Sequence, residues 1–401
     1  MAKKIKQAVI FAGGLGTRLR PLTLTLPKPM APVGGRPFLE HLIELLRTNG
    51  ITDIVLLLGY LPEKIIEHFG DGKKFGVHIR YSVTPVEDET GTRLKKAEAL
   101  LDDRFLLLYS DNYWPIVLDE MTAFHDATGA AGMMTVYNNR DAGGEYGSKN
   151  NVKVEEDGMV SYYGPVSDDV ALVNTIDMGF FIMNKAIIGI VPDENVSFQG
   201  VVLPHLIKER QLVAYRTDHP YYPITSLGHL PIVEKFLAAK KVIFLDRDGV
   251  INKKAAEHDY IKKWEEFEFV PGAVEALKLL TDAGYEIYII SNQRGIARGL
   301  MSHDDLADIH QRMGEELERN GARIAGIYYC PHGKDEDCFC RKPRAGMLFR
   351  AAREHHINLT KTVMIGDKES DVAAGRAAGC RTILAKEGEL LAVVKLLLSE
   401  R

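Results

Sequence analysis

Cysteine is scarce, four in 401 residues, and three of the four, Cys330, Cys338 and Cys340, crowd together while Cys380 stands alone. That usage excludes the disulfide framework of a secreted scaffold and points to metal instead. No apolar run approaches the roughly 20 residues that carry a helix across a bilayer. The early apolar stretch QAVIFA is cut short by GGLGTRLR, so it makes a poor signal peptide, and a cytoplasmic location is expected. Neither sign of charge dominates: 50 Lys and Arg against 55 Asp and Glu leave a net charge of −5. Such a balance gives no electrostatic reason for a nucleic acid or an anionic membrane as partner. There is no internal repeat, no low-complexity tract and no Pro-, Gly- or Ser-rich linker. The chain is nonetheless long for a single core, so two α/β domains are expected, and homo-oligomer formation stays open.

What is present begins with an apolar strand over Ala8 to Ala12 that runs into Gly13-Gly14-Leu15-Gly16-Thr17-Arg18. Glycines there let backbone N–H groups approach a phosphate closely, and Arg18 can add a bidentate contact. An amphipathic helix over Phe38 to Thr48, a strand over Asp53 to Leu58, and further candidates over 77–82, 93–101 and 105–109 follow. This alternation is that of an open α/β sheet.

The string GGLGTRLRPLTLTLPKPMAPVGGRPFLEHLIELL resembles the sugar-1-phosphate nucleotidylyltransferases, and the likeness extends over about residues 1–238. It implies that Gly13, Gly14, Gly16, Thr17 and Arg18 cradle the phosphates of a nucleoside triphosphate and that Lys28 neutralises them. It also implies that Asp111, which closes RFLLLYSD, binds Mg²⁺. The reaction implied is attack by a sugar 1-phosphate oxygen on the α-phosphorus, with pyrophosphate leaving. Two positions depart from the pattern. Pro223 stands where the family has a second metal-binding acid, and Tyr162-Tyr163-Gly164-Pro165 stands where many members have Glu-Lys-Pro. Asp177 and Asp218 are the acids left to replace the first.

A closing helix over 231–239 leads through Lys240-Lys241 into a second half, residues 240–401. There the apolar strand Val242 to Leu245 delivers Asp246 and Asp248, and the strand Tyr285 to Ile290 delivers Ser291-Asn292-Gln293. Arg341-Lys342-Pro343 supplies cations, and the run 363–365 ends in Gly366-Asp367-Lys368. Parallel sheets bind ligands beyond the carboxyl ends of their strands, where all these residues fall. Cys330-Pro331-His332 and Cys338-Phe339-Cys340 give three thiolates and an imidazole, a closed tetrahedral set for a structural Zn²⁺.

In that order the motifs resemble the haloacid dehalogenase-type phosphatases, with a Rossmannoid sheet, over residues 241–385. The resemblance implies a nucleophile at Asp246, an acid/base at Asp248, and phosphate held by Ser291 and Lys342, with Asn292 also in the catalytic set. Mg²⁺ would sit on Asp246, Asp367 and the backbone carbonyl of Asp248, with Asp371 either behind that set or a helix N-terminal charge. The zinc loop and the segments around it look like the D-glycero-D-manno-heptose 1,7-bisphosphate phosphatases, in which Arg298, Arg341 and Lys368 suit a second phosphate. Histidinol-phosphate phosphatases share the loop and are the alternative. Joined, the two halves imply a bifunctional enzyme acting on a sugar phosphate and a nucleoside triphosphate to make a nucleotide-activated heptose, GDP-heptose by analogy. The other reading keeps only the phosphatase active and makes the first domain a nucleotide-sugar binding or scaffolding module.

Overall fold

The computed structural model describes residues 4–140, 150–167, 172–256 and 259–400. The chain divides into two compact units, Met1–Leu237 and Ala238–Arg401.

The first unit is built on a sheet of seven strands: β1 (Gln7–Ala12), β2 (Asp53–Leu58), β3 (His78–Val83), β4 (Arg104–Tyr109), β5 (Gly132–Tyr137), β6 (Ile176–Asn184) and β7 (Leu212–Thr217). Their order is β7-β5-β6-β4-β1-β2-β3. All six residues of β1 are buried, as an apolar strand covered on both faces must be. Alternate residues feed opposite cores, with Ala8 and Ile10 on one side and Val9 and Phe11 on the other. The helix Phe38–Thr48 covers the first of these cores, its apolar residues spaced three and four apart, with Glu40 in its first turn and Arg47 in its last complementing the helix dipole. The segment 93–101 resolves into the end of a helix that starts earlier, Thr90–Lys96, and a 3₁₀ turn, Glu98–Leu100.

One strand runs against the rest of its neighbourhood: β6 is antiparallel to both β4 and β5. Its beginning therefore lies at the carboxyl end of β4. The register pairs Phe180 with Leu108, and Asp177 lies just before that pairing, across an irregularity of the strand and near enough for the charge of Asp111 to act on it.

The second unit holds a sheet of five parallel strands, β8 (Lys241–Leu245), β9 (Tyr285–Asn292), β10 (Gly326–Cys330), β11 (Val363–Gly366) and β12 (Arg381–Leu384), in the order β10-β9-β8-β11-β12. The order reverses at β8, so β9 and β11 flank it and open a crevice at its carboxyl end. Ile243 and Leu245 pack into one core and Val242 and Phe244 into the other. Burial on both faces fixes the strand's register and so the position of the aspartates that follow it. Among the described residues, no helix is long and apolar enough to cross a membrane.

Candidate active sites

In the first unit β1 runs straight into the glycine loop. A Cβ on Gly13 would stand 2.7 Å from the Arg93 guanidinium, and one on Gly16, whose φ is +59°, would stand 2.7 Å from Cβ of Lys28. Only glycine lets this loop lie against those two side chains. Arg93 is buried and donates to the carbonyls of Leu58 (2.6 Å), Pro85 (2.9 Å) and Val86 (3.0 Å) and to Thr84 Oγ1 (2.7 Å). It props the loop from beneath, a role the sequence did not announce. Gly13, Gly14, Gly16, Thr17, Arg18, Lys28 and Asp111 all line one cavity of about 410 Å³, together with Glu87, Asp88, Glu89 and Thr225. Lys28 Nζ sits 2.6 Å from Asp111 Oδ2.

The short strand Tyr222–Pro223 pairs with Asn112–Tyr113, and the Ile224 N–H donates to the Asp111 carbonyl at 2.8 Å. Pro223 thus stands beside Asp111 and offers it no carboxylate. Asp177 approaches from the other side. It accepts from the Gly179 N–H at 2.8 Å and from the Tyr163 hydroxyl at 3.2 Å. Burial pushes its pKa up to about 6, the two hydrogen bonds oppose that, and the charge of Asp111 adds to it. Asp218, by contrast, is engaged by Arg140 Nε at 2.8 Å and Asn138 Nδ2 at 2.9 Å.

In the second unit Lys342 reaches through the sheet's crevice. Its ammonium lies 2.8 Å from Asp246 Oδ1 and 2.7 Å from Asp371 Oδ1 and donates to the Ile290 carbonyl at 2.7 Å. Burial works against its charge, but Asp246 and Asp371 outweigh burial and raise its pKa. Oxygens of Asp246, Asp367 and Asp371 all fall within 4.8 Å of one another. Asp371, expected to lie behind this set or to serve as a helix N-terminal charge, sits in the first turn of the helix Glu369–Ala377, where Oδ2 accepts the Lys368 N–H at 3.0 Å and Oδ1 faces Lys342. Burial, then the neighbouring acids, raise the pKa of Asp246 against the pull of Lys342. Asp367 Oδ1 is buried without a hydrogen-bond partner. Clustered hard oxygens with an unsatisfied member fit Mg²⁺.

The Asp248 carboxylate turns away from that cluster and accepts from Arg247 Nη2 (2.8 Å), Asn252 Nδ2 (3.0 Å) and Gln293 Nε2 (2.8 Å). Burial would raise its pKa, yet the Arg247 charge and these donors hold it below the ordinary value. Arg247 is fully buried and donates to His310 Nε2 at 3.2 Å. Burial depresses His310 to about 3, so its ring is neutral and able to accept. Ser291 Oγ accepts from Gln293 Nε2 at 2.7 Å. The Asn292 amide exchanges two hydrogen bonds with the Lys342 backbone, at 3.0 and 3.1 Å, and so ties the β9 loop to the lysine.

At the end of β10, Cys330 Sγ lies 3.6 Å from His332 Nδ1 and 3.7 Å from Cys338 Sγ, and His332 Nδ1 lies 3.2 Å from Cys340 Sγ. Tetrahedral Zn²⁺ with ligand bonds of about 2.0–2.3 Å sets its ligand atoms about 3.5–3.8 Å apart, whereas a disulfide needs about 2.05 Å. The four side chains fit the metal. Beside them a cavity of about 750 Å³ is lined by Asn292, Arg298, Arg341, Lys342 and Lys368, and also by Arg294, Lys334 and Arg344.

Two strand-end sites of this kind define a protein that handles phosphate esters at two places. A nucleotidyl transferase model matches residues 7–214, and a HAD-hydrolase-like model matches residues 339–392. The D-glycero-beta-D-manno-heptose-1,7-bisphosphate 7-phosphatase of Pasteurella multocida is 43% identical over 157 residues, 37% of this chain and 84% of its own. The D-glycero-alpha-D-manno-heptose-1,7-bisphosphate 7-phosphatase of Photorhabdus laumondii is 42% identical over 156 residues, with the same 37% and 84%. Among solved structures, HddC from Yersinia pseudotuberculosis complexed with GMP-PN is 21% identical, covers 58% of this chain and 99% of its own, and has a TM-score of 0.46. The chain belongs to the nucleotidyl transferase family, whose model spans more than half of it, and its second unit belongs to the phosphatase family of these relatives. It is a phosphatase joined to a nucleotidyltransferase.

Proposed function

We propose that the second unit removes the 7-phosphate of D-glycero-D-manno-heptose 1,7-bisphosphate and that the first unit transfers a guanylyl group from GTP to the resulting 1-phosphate. The observation that carries this is the cluster of Asp246, Asp367 and Asp371 around Lys342 at the switch point of the second sheet. Asp246 attacks phosphorus to form an aspartyl-phosphate. Asp248 protonates the departing alkoxide and then takes the proton of the incoming water, and the Arg247 clamp holds it in the second of those states. Ser291 and Lys342 hold the transferring phosphate, while Arg298, Arg341 and Lys368 receive the other one across the basic cavity. Mg²⁺ would be held by Asp246, Asp367 and the carbonyl of Asp248, and its chemistry is to neutralise charge on the phosphoryl oxygens. Zn²⁺ on Cys330, His332, Cys338 and Cys340 is structural, since the set leaves no ligand position open.

In the first unit the glycine loop with Thr17, Arg18 and Lys28 holds the triphosphate, and Asp111 with the nearby Asp177 would hold Mg²⁺. Asp177 takes the place in the chemistry that Pro223 cannot. Guanine fits because Glu87 and Glu89 are exposed on the cavity wall, and a carboxylate accepts from paired N–H donors such as guanine's N1 and N2.

Purified protein with Mg²⁺ and the bisphosphate should release phosphate, and Asp246→Asn should abolish the release. No release, or full activity in that variant, refutes the phosphatase assignment. Heptose 1-phosphate offered with each nucleoside triphosphate should yield pyrophosphate with GTP. Asp177→Asn should raise the Mg²⁺ needed for half-maximal transfer about tenfold while leaving phosphate release intact. If no triphosphate gives pyrophosphate, the first unit is a binding module.

A further inference from the structure

The carboxylate cluster of the phosphatase site has a second cation for which the reaction above has no use. Lys254, on the loop after β8, pairs its ammonium with Asp367 Oδ2, and the charges of Glu387 and Asp246 also act on it. Gly249 makes the room for this. Its φ is +94°, and a Cβ there would stand 2.6 Å from Asp367 Oδ2 and overlap Cε of Lys254. A second carboxylate lies at the root of the same side chain, where Glu387 Oε2 accepts the Lys254 backbone N–H at 3.4 Å. The two differ in setting: the Asp367 side chain is 1% exposed, whereas Glu387 is on the surface.

Charge balance decides what this arrangement does. Asp246, Asp367 and Asp371 carry three negative charges, and Lys342 cancels one of them. A divalent cation brings the remainder to zero, whereas the Lys254 ammonium brings it only part of the way. Both together would leave an excess positive charge beside the buried Lys342, which a poorly solvated site disfavours. Ammonium and metal therefore compete for Asp367. We propose that Lys254 is a tethered counter-cation of the phosphatase site, neutralising Asp367 in the metal-free protein and moving out toward Glu387 when Mg²⁺ binds, so that it sets the metal affinity. This rests on the reading that Asp367 holds the metal.

Calorimetric titration of the full-length chain with Mg²⁺ alone tests it, with Asp367→Asn identifying the binding event that belongs to this site. For that event Lys254→Met should lower the dissociation constant about tenfold, because a state blocked by the lysine no longer has to open before metal enters. Lys254→Arg, which keeps the charge, should stay within about twofold of the unaltered protein. In chelator Lys254→Met should unfold at lower temperature than the unaltered protein, and saturating Mg²⁺ should remove that difference. If the affinity in Lys254→Met is unchanged or weaker while Asp367→Asn still loses the event, the counter-cation proposal is wrong and the metal reading stands. If Asp367→Asn keeps the event, the metal reading itself fails.

Discussion

Gly249 shows how much a single missing Cβ positions. It separates Asp248 from the metal cluster by a turn at φ +94° and lets Asp367 approach where any side chain would collide. Gly249→Ala should therefore cut phosphate release at least a hundredfold, while pyrophosphate formation by the first unit is unchanged. The strain itself should destabilise the second unit by about 1–3 kcal/mol, measurable in a urea titration. A different residue sets a pH limit on the first unit. His219 is buried, its ring 2.7 Å from the Pro220 carbonyl, and burial lowers its pKa to about 4. In the unfolded chain the ring titrates near its ordinary value of about 6.5. The stability this gives is complete above that value and is lost as pH falls from there to about 4, because the unfolded chain binds the proton first. The full loss is about 3 kcal/mol, and His219→Gln should flatten the slope of unfolding free energy against pH in that window.

At the scale of elements, the proposed catalysis leans on the loop that carries Cys330, His332, Cys338 and Cys340. It joins the end of β10 to Arg341 and Lys342, and the Arg341 guanidinium donates back to the His332 carbonyl at 3.1 Å. If the four side chains hold Zn²⁺ as proposed, removing it would free the loop that aims Lys342 at Asp246. Cys338→Ser, or exhaustive chelation, should lower phosphatase activity at least tenfold and depress the melting temperature of the second unit, with nucleotidyl transfer spared. Such loops are legible in sequence because their functional residues are neighbours in one turn: Gly13 to Arg18, Asp246 and Asp248, Cys330 and His332. Residues that meet only through packing were not. Arg93 lies far along the chain from the glycines it supports, and His310 comes from the middle of the helix His303–Arg319. Asp177 was legible as an acid but could not be told from Asp218; what separates them is that the start of the antiparallel β6 brings Asp177 under the charge of Asp111, while Arg140 and Asn138 engage Asp218. Asp371 was legible as a helix N-terminal charge, but its contact with Lys342 was not, because the turn that folds it inward is invisible in spacing alone.

For the whole molecule the question is whether the two chemistries need one chain. Each site is assembled from residues of its own unit: the glycine loop, Lys28 and Asp111 in the first, and Asp246, Lys342 and Asp367 in the second. On the proposed reactions the product of the phosphatase is a sugar 1-phosphate, small and freely soluble, and the same compound is the acceptor of the transferase. Asp246→Asn chains should make nucleotide sugar from the 1-phosphate but not from the bisphosphate, and Asp111→Ala chains should release phosphate and stop there. An equal mixture should regain nucleotide-sugar synthesis from the bisphosphate, after a lag while free 1-phosphate builds up, with one phosphate released per pyrophosphate. Continuous assay of both products would show the lag directly. A mixture that stays inactive while both single activities persist would mean that the intermediate does not pass through solution.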